Sequence, residues 1–219
     1  LNAVSASSGK FESDPVTVQF SQPPTDFLVA FAQYPFSANG VFVKAAPSSA
    51  QTSQTIFLTK KTWAGRYLGN DAGGPGSIAL ANAQCQEIAD AAGLSVDADD
   101  VWTAILSDAS VHAKDRISDA YDIYNLAGDL VAEQGTLFSG SILNPVNYFE
   151  DKTAVDVNNR AWTGTLATGE RAEHCNSWSS QLGDGKVGSP KMTDGGWLAV
   201  LHANCNAQYS LYCTNRQGE

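Results

Sequence analysis

Ser77-Ile78-Ala79-Leu80-Ala81-Asn82-Ala83-Gln84-Cys85-Gln86-Glu87-Ile88-Ala89-Asp90-Ala91-Ala92-Gly93 is the stretch whose reading decides the fold. Ser77 suits a helix N-cap, because its hydroxyl accepts from an unpaired N–H of the first turn. Ile78, Ala81, Cys85, Ile88 and Ala92 recur at three- and four-residue steps and form one apolar face. Gly93 suits the left-handed position that ends a helix. The spacing predicts a helix from Ser77 to about Ala92, with Cys85 on its buried side.

Three more cysteines, Cys175, Cys205 and Cys213, crowd the C-terminal end. An even count points to two disulfides, for which three pairings are possible. No CxxC or CxxH spacing supports zinc. The nested pairing is favoured: Cys85–Cys213 outside would tie the helix to the last strand, and Cys175–Cys205 inside would close a smaller loop. Chain entropy then contributes about 4–5 kcal/mol for the large loop and somewhat under about 4 kcal/mol for the small one. Such bonds need an oxidising compartment, so the expected location is secreted or at the cell surface.

The chain has 219 residues, 43% hydrophobic, with a formal net charge of −10. That length fits one large domain, or one with a smaller partner. No apolar run is long enough to span a membrane. The acidity argues against nucleic acid, and against heparin and anionic membranes for the same reason. Leu1–Ser8 lacks the basic start and apolar core of a signal peptide.

Residues 1–54 read as a β-rich N-terminal segment or small module. Val16–Phe20 alternates, Phe27–Phe31 reads as a buried strand, and Val41-Phe42-Val43 follows the Asn39-Gly40 turn signal. Pro47–Gln54 has the composition of a linker, or of a surface loop within one continuous fold. A new strand is expected at Thr55–Thr59 and a core strand at Val101–Ser107. A second short helix is expected over about Ser110–Ile117. Short strands follow at Tyr121–Asn125, Leu137-Phe138, Ala161–Thr163, Trp197–Leu201 and Tyr209–Cys213. The pattern is α+β, with two helices early and a loop-rich antiparallel remainder.

Chemistry is sparse. His112, His174 and His202 are the only histidines. A Cys175–Cys205 bond would bring His174 and His202 near one another as a metal-binding or pH-sensitive pair; the simpler reading is two independent, partly exposed rings. Ser139-Gly140-Ser141 and Ser177-Trp178-Ser179-Ser180 lack the Gly-x-Ser-x-Gly elbow of a serine nucleophile. Asp97-Ala98-Asp99-Asp100 is the densest carboxylate group, followed by Glu150-Asp151 with Asp156. Neither has the Gly and terminal Glu of an EF-hand loop, so calcium is possible without a supporting motif. No catalytic or metal residue is assigned, and no enzyme is expected.

Several ordered motifs carry a family resemblance. They are Ala83-Gln84-Cys85-Gln86, Ala92-Gly93-Leu94, Ala104–Asp108, Asp115-Arg116-Ile117, Tyr124-Asn125-Leu126, Leu137–Ser141, Trp162–Thr165, Cys175-Asn176-Ser177-Trp178 and Leu211-Tyr212-Cys213. From about Thr55 to Cys213 the chain resembles the bacterial endostatin-like proteins of the C-type-lectin-like fold, the family of the leptospiral surface proteins of that name. The resemblance implies a C-type-lectin-like domain over 55–219, nested disulfides, and a long loop between Cys175 and Cys205 that often forms the ligand surface. It also implies an adhesin for extracellular or matrix proteins. Two departures limit the transfer. The calcium tripeptide of sugar-binding relatives is missing: Asn144-Pro145-Val146 is the nearest to it, and Val146 offers no side-chain oxygen. No histidine precedes His112, so the zinc cluster of vertebrate endostatins is missing.

The tentative ligand-binding residues are Trp178, Asp194, Trp197 and Tyr209. Trp178 or Trp197 would stack on a sugar or anchor a protein contact if exposed. For Trp178, packing around the inner disulfide is the preferred reading. Asp194-Gly195-Gly196 would set Trp197 after a flexible turn. The alternative functions are a glycan-binding lectin module and a structural subunit of a surface fibre or pilus-like assembly jointed through residues 1–54.

Overall fold

A computed structural model describes residues 53–95 and 100–217, all of which belong to the unit Gln51–Glu219. The expected N-terminal strands, nearly all of the Pro47–Gln54 stretch and the Asp97–Asp99 carboxylates lie outside the described residues.

The first helix, α1, runs Ile78–Ala91, and the Ser77 hydroxyl accepts from the Leu80 N–H. Gly93 follows at φ +68°. Its buried stripe is Ala81, Cys85 and Ala89, with Ile78 and Ile88 half-buried beside it. Ala92 is exposed, because the helix has ended before it and the stripe passes through Ala89 instead.

Among the described residues nine strands form the sheet: β1 Ser53–Leu58, β2 Trp63–Ala64, β3 Asp100–Ala104, β4 Asp122–Asn125, β5 Leu130–Ala132, β6 Ala161–Trp162, β7 Asp184–Gly188, β8 Leu201–Asn204 and β9 Gln208–Gln217. The order is β5-β4-β1-β9-β6-β7-β8, with β2 and β3 also paired to β9. The long β9 is the spine. β1 and β3 both pair antiparallel with Cys213 and Thr214 and therefore lie on its two opposite edges. Two pairings, β1–β4 and β6–β9, are parallel, so the expected wholly antiparallel remainder is corrected.

Alternation along β1 and β9 separates two cores. Phe57, Leu211 and Cys213 face the core under α1, with Trp102, Trp162 and Trp178. Ile56, Leu58 and Tyr212 face the other core, with Ile105, Ile123, Val131 and Trp197. Long loops and single helical turns, rather than a long helix, close this second core.

The remaining differences have local causes. β1 begins at Ser53, inside the stretch with linker composition. Gln54 is buried, and its amide donates to the carbonyls of Ser118 and Asn215. β3 stops at Ala104, although Ile105–Ser107 stay buried. The expected helix over Ser110–Ile117 reduces to one 3₁₀ turn, Ala113–Asp115. Asp108 Oδ1 accepts from the N–H groups of Ser110 and Val111, and Ser107 Oγ captures the Ala113 N–H, a donor that a helix from Ser110 would direct to its own backbone. Leu137-Phe138 is a turn between Gly135 and Gly140, both at positive φ. Trp197–Leu201 is one helical turn, Gly196–Ala199, followed by β8. β7 was not legible because Asp184-Gly185-Lys186-Val187-Gly188 reads as turn composition. Its glycines answer to packing: a Cβ on Gly188 would lie 1.9 Å from the Trp197 carbonyl oxygen.

Candidate functional site around the inner disulfide

Both disulfides take the nested pairing. Cys85–Cys213 joins α1 to β9 with Cα atoms 5.5 Å apart, and Cys175–Cys205 has a Cα separation of 5.6 Å. The second anchors an unusual stretch of backbone. Cys175, Asn176, Ser177 and Trp178 all have positive φ, between 51° and 65°. L-residues adopt this conformation singly rather than in runs, at roughly 1–2 kcal/mol per residue. Fixed partners hold it. The Ser177 N–H donates to His174 Nδ1 at 2.8 Å, and the Ala109 N–H donates to Ser177 Oγ. Trp178 Nε1 donates to the Ser107 carbonyl, and its own carbonyl accepts from the Gly76 N–H. The Trp178 ring packs edge-on against Trp162, 5.9 Å between centroids.

Beyond this turn, the loop Ser179–Gly183 is exposed, apart from the half-buried Ser180. Leu182 is 78% exposed, the most exposed of the large hydrophobic side chains described. Beside it, Gln181 accepts from Arg66 Nη1, and the Arg66 guanidinium stacks 4.3 Å from the Tyr67 ring centre. On β7 and β8 a row of polar side chains crosses the sheet. Lys186 Nζ lies 2.6 Å from His202 Nε2 and 3.8 Å from Glu173 Oε2, which is 3.4 Å from His202 Nδ1.

The tentative ligand set does not assemble on one face. Trp178 and Trp197 are both 0% exposed, and they belong to opposite cores. Trp197 is drawn inward because Gly195 and Gly196 form a helical turn rather than a flexible exposed one. Its ring packs 5.7 Å from Tyr212, whose hydroxyl donates to the Trp197 carbonyl. Exposed stacking by either tryptophan is therefore corrected. Trp178 does pack in the core that holds Cys175 and Cys205. Tyr209 is half-buried, edge-on to Trp162 at 5.0 Å. Asp194 is exposed and accepts from the Gly196 N–H.

Other candidates are engaged locally. Ser177 meets His174 through its backbone N–H, not its hydroxyl, so the pair has no nucleophile–base contact. Asp100 is buried at the start of β3. Glu150 accepts from the Lys60 N–H, and Asp151 pairs with the Lys60 ammonium. That hydrogen bond, with two more from Thr153, holds the Asp151 carboxyl down at about 2. Asp156 caps Asn158. Among the described residues no group of three or more His, Cys, Asp or Glu side chains is placed to hold a metal. His174 and His202 share no hydrogen-bond partner. Their partners are Ser177 in one case, and Lys186 and Glu173 in the other.

Arg116 was not singled out beyond its motif. Its guanidinium donates to the carbonyls of Ala104 and Leu106 and to Asn82 Oδ1, fastening α1 to the end of β3. Burial lowers its pKa to about 10, with Asp108 opposing. A half-open cleft of about 300 Å³ lies elsewhere, lined by Ser53, Thr55, Leu94, Trp102, Tyr124 and Lys152 among others. No protein-family model matches this chain, and no curated protein matches it. Among the described residues no helix is long and apolar enough to cross a membrane.

Proposed function

We propose that this chain is a non-enzymatic binding protein outside the cell or on its surface, an adhesin for extracellular or matrix proteins. Its contact face is the loop between Cys175 and Cys205. The observation that carries the reading is Leu182, an apolar side chain held 78% exposed on a loop anchored by a disulfide and a left-handed turn. A fixed backbone lowers the ordering cost of association. Tyr67 and Arg66 flank it, residue types enriched at interface hot spots. Two disulfides fit an oxidising compartment.

A C-type-lectin-like, endostatin-like domain is the fold reading that accompanies this proposal. The nested disulfides and the helix tied to the last strand support it. Protein recognition is favoured over glycan recognition because both loop tryptophans are buried, leaving Tyr209 as the one partly accessible aromatic of the tentative set.

The test is a combined matrix-protein and glycan array, probed with the intact chain in calcium and again in chelator. Protein binding that ignores chelator, and that weakens by about tenfold or more in Leu182→Asp, is the expected result. Binding to sugars alone, or protein binding indifferent to Leu182→Asp, overturns the proposed face.

A further inference from the structure

All three histidines in this sequence use a ring nitrogen as a hydrogen-bond acceptor. His112 Nδ1 accepts from the Arg171 N–H at 2.9 Å, and His174 Nδ1 accepts from the Ser177 N–H at 2.8 Å. The third, His202 Nε2, lies 2.6 Å from Lys186 Nζ. Backbone N–H groups and ammonium groups only donate, so each of these ring nitrogens carries no proton. The geometry therefore fixes three tautomers. His112 and His174 hold their proton on Nε2. His202 holds its proton on Nδ1, towards Glu173 Oε2 at 3.4 Å.

Two of these contacts, those of His112 and His174, fall on one segment. His112 fastens Arg171 to the loop that follows β3. His174 closes the left-handed turn as an N-cap side chain would, accepting from the residue three positions on. His202 and Lys186 flank Glu173, and the Lys186 N–H donates to the Glu173 carbonyl. The segment Arg171–Trp178 contains the run of positive-φ residues, so contacts that depend on neutral imidazoles hold the most strained backbone described.

We propose that Arg171–Trp178 is an acid-released element, latched by neutral His112 and His174 and loosened when they take up protons. Protonation places an N–H against the backbone donor that His112 and His174 now accept from, and both acceptors are lost. Imidazoles do this within the mildly acidic range, about pH 5 to 7. Glu170, paired with Lys114, lies near His112, and Asp108 lies near His174. Glu173 lies beside His202, with Lys186 opposing it and Asp184 next along the same face of β7. Arg171 is the remaining cation at His112, with its guanidinium turned to the Ala109 carbonyl. The sign is that the latch is intact above the imidazole range and lost as pH falls through it. The proposal concerns this segment alone and holds whether or not the Leu182 loop binds a partner.

The test is nitrogen-15 NMR of the imidazoles, with amide exchange on the full chain at about pH 7.5 and about pH 5.5. The expected tautomers at the higher pH are Nε2–H for His112 and His174 and Nδ1–H for His202. Exchange at Arg171 and Ser177, corrected for its intrinsic pH dependence, is expected to rise by about tenfold or more on acidification, with Tyr212 and Thr214 unchanged. His174→Asn supplies an acceptor that does not titrate, and should make protection at Ser177 indifferent to pH. The opposite tautomers, an exchange rate that does not change, a rise shared equally by the β9 amides, or an undiminished response in His174→Asn would each overturn the proposal.

Discussion

The outer disulfide joins a 14-residue helix to a ten-residue strand, whereas the inner one joins a left-handed turn to the residue after a four-residue edge strand. The first region is made of regular elements whose side chains choose their faces by period. The second is made of exceptions. It has four consecutive residues at positive φ, glycines pressed against tryptophan, and backbone donors satisfied by imidazoles. The contrast teaches that covalent and polar ties can take the place of repeated backbone hydrogen bonds in fixing a short, loop-rich region. Those ties are more easily undone by a change of conditions.

Separate removal of the two disulfides gives the largest effect. Cys85→Ser, which opens a separation of 128 residues, is expected to cost about 5 kcal/mol, and Cys175→Ser, which opens 30, about 4 kcal/mol. Urea unfolding measures both. A greater loss from the inner bond would mean that strain in the 175–178 turn outweighs loop entropy.

Next comes Gly188→Ala. Its Cβ would meet backbone, not a yielding side chain, and the overpacking is expected to cost roughly 1–3 kcal/mol by thermal unfolding. A neutral result would mean that β7 and the Trp197 turn can separate freely.

The sharpest form of the comparison pairs two glycine substitutions of opposite sign. Ala83→Gly, on the exposed side of α1, is expected to destabilise by about 1 kcal/mol. Asn176→Gly, at φ 52°, is expected to stabilise by roughly 0.5–1 kcal/mol, because glycine adopts that conformation without a Cβ penalty. The same denaturant titration reads both, and destabilisation by Asn176→Gly would break the argument that the turn is strained.

The smallest effect belongs to Asp108. Burial raises its pKa, but hydrogen bonds from the Ser110 hydroxyl and the Ser110 and Val111 N–H groups, and nearby His174, outweigh that and leave it below the ordinary carboxylate value. A lowered folded value contributes stability that is present above the ordinary carboxylate range and lost as pH falls through the folded value. Asp108→Asn should therefore be less stable than the parent at neutral pH, by about 1 kcal/mol or less, and equal to it once Asp108 is protonated. A gap that persists in strong acid would point to lost shape rather than lost charge.

Legibility follows the same division. The Ser77 cap, the stripe through Ala81 and Cys85, and the Gly93 stop were readable because capping and helical period act over a few residues. The nested disulfide pairing was favoured among three because it would tie this helix to the last strand and close a smaller loop within the larger one, and both bonds form that way. Tyr121–Asn125 and Tyr209–Cys213 were found within a few residues of β4 and β9, because strand propensity is local too. β7 and β8 were not, since Gly185 and Gly188 look like turn residues until Trp162 and Trp197 are seen against them. In the candidate site, Trp178 was placed correctly as packing around the disulfide. Trp197 was not, because its direction depends on a helical turn that Asp194 nucleates. Leu182 carried no signal, because exposure is a property of neighbours.

What the sequence determined by itself was the α+β class, the main helix, and the positions of β1, β3, β4, β6 and β9 to within a few residues. Each follows from local propensity, composition or spacing. Only the tertiary structure decided which strands pair in parallel, which tryptophans are buried and why His112 and His174 both accept from backbone N–H groups of one segment. Those outcomes depend on contacts between residues tens of positions apart, and no local pattern encodes the direction in which a side chain finally points.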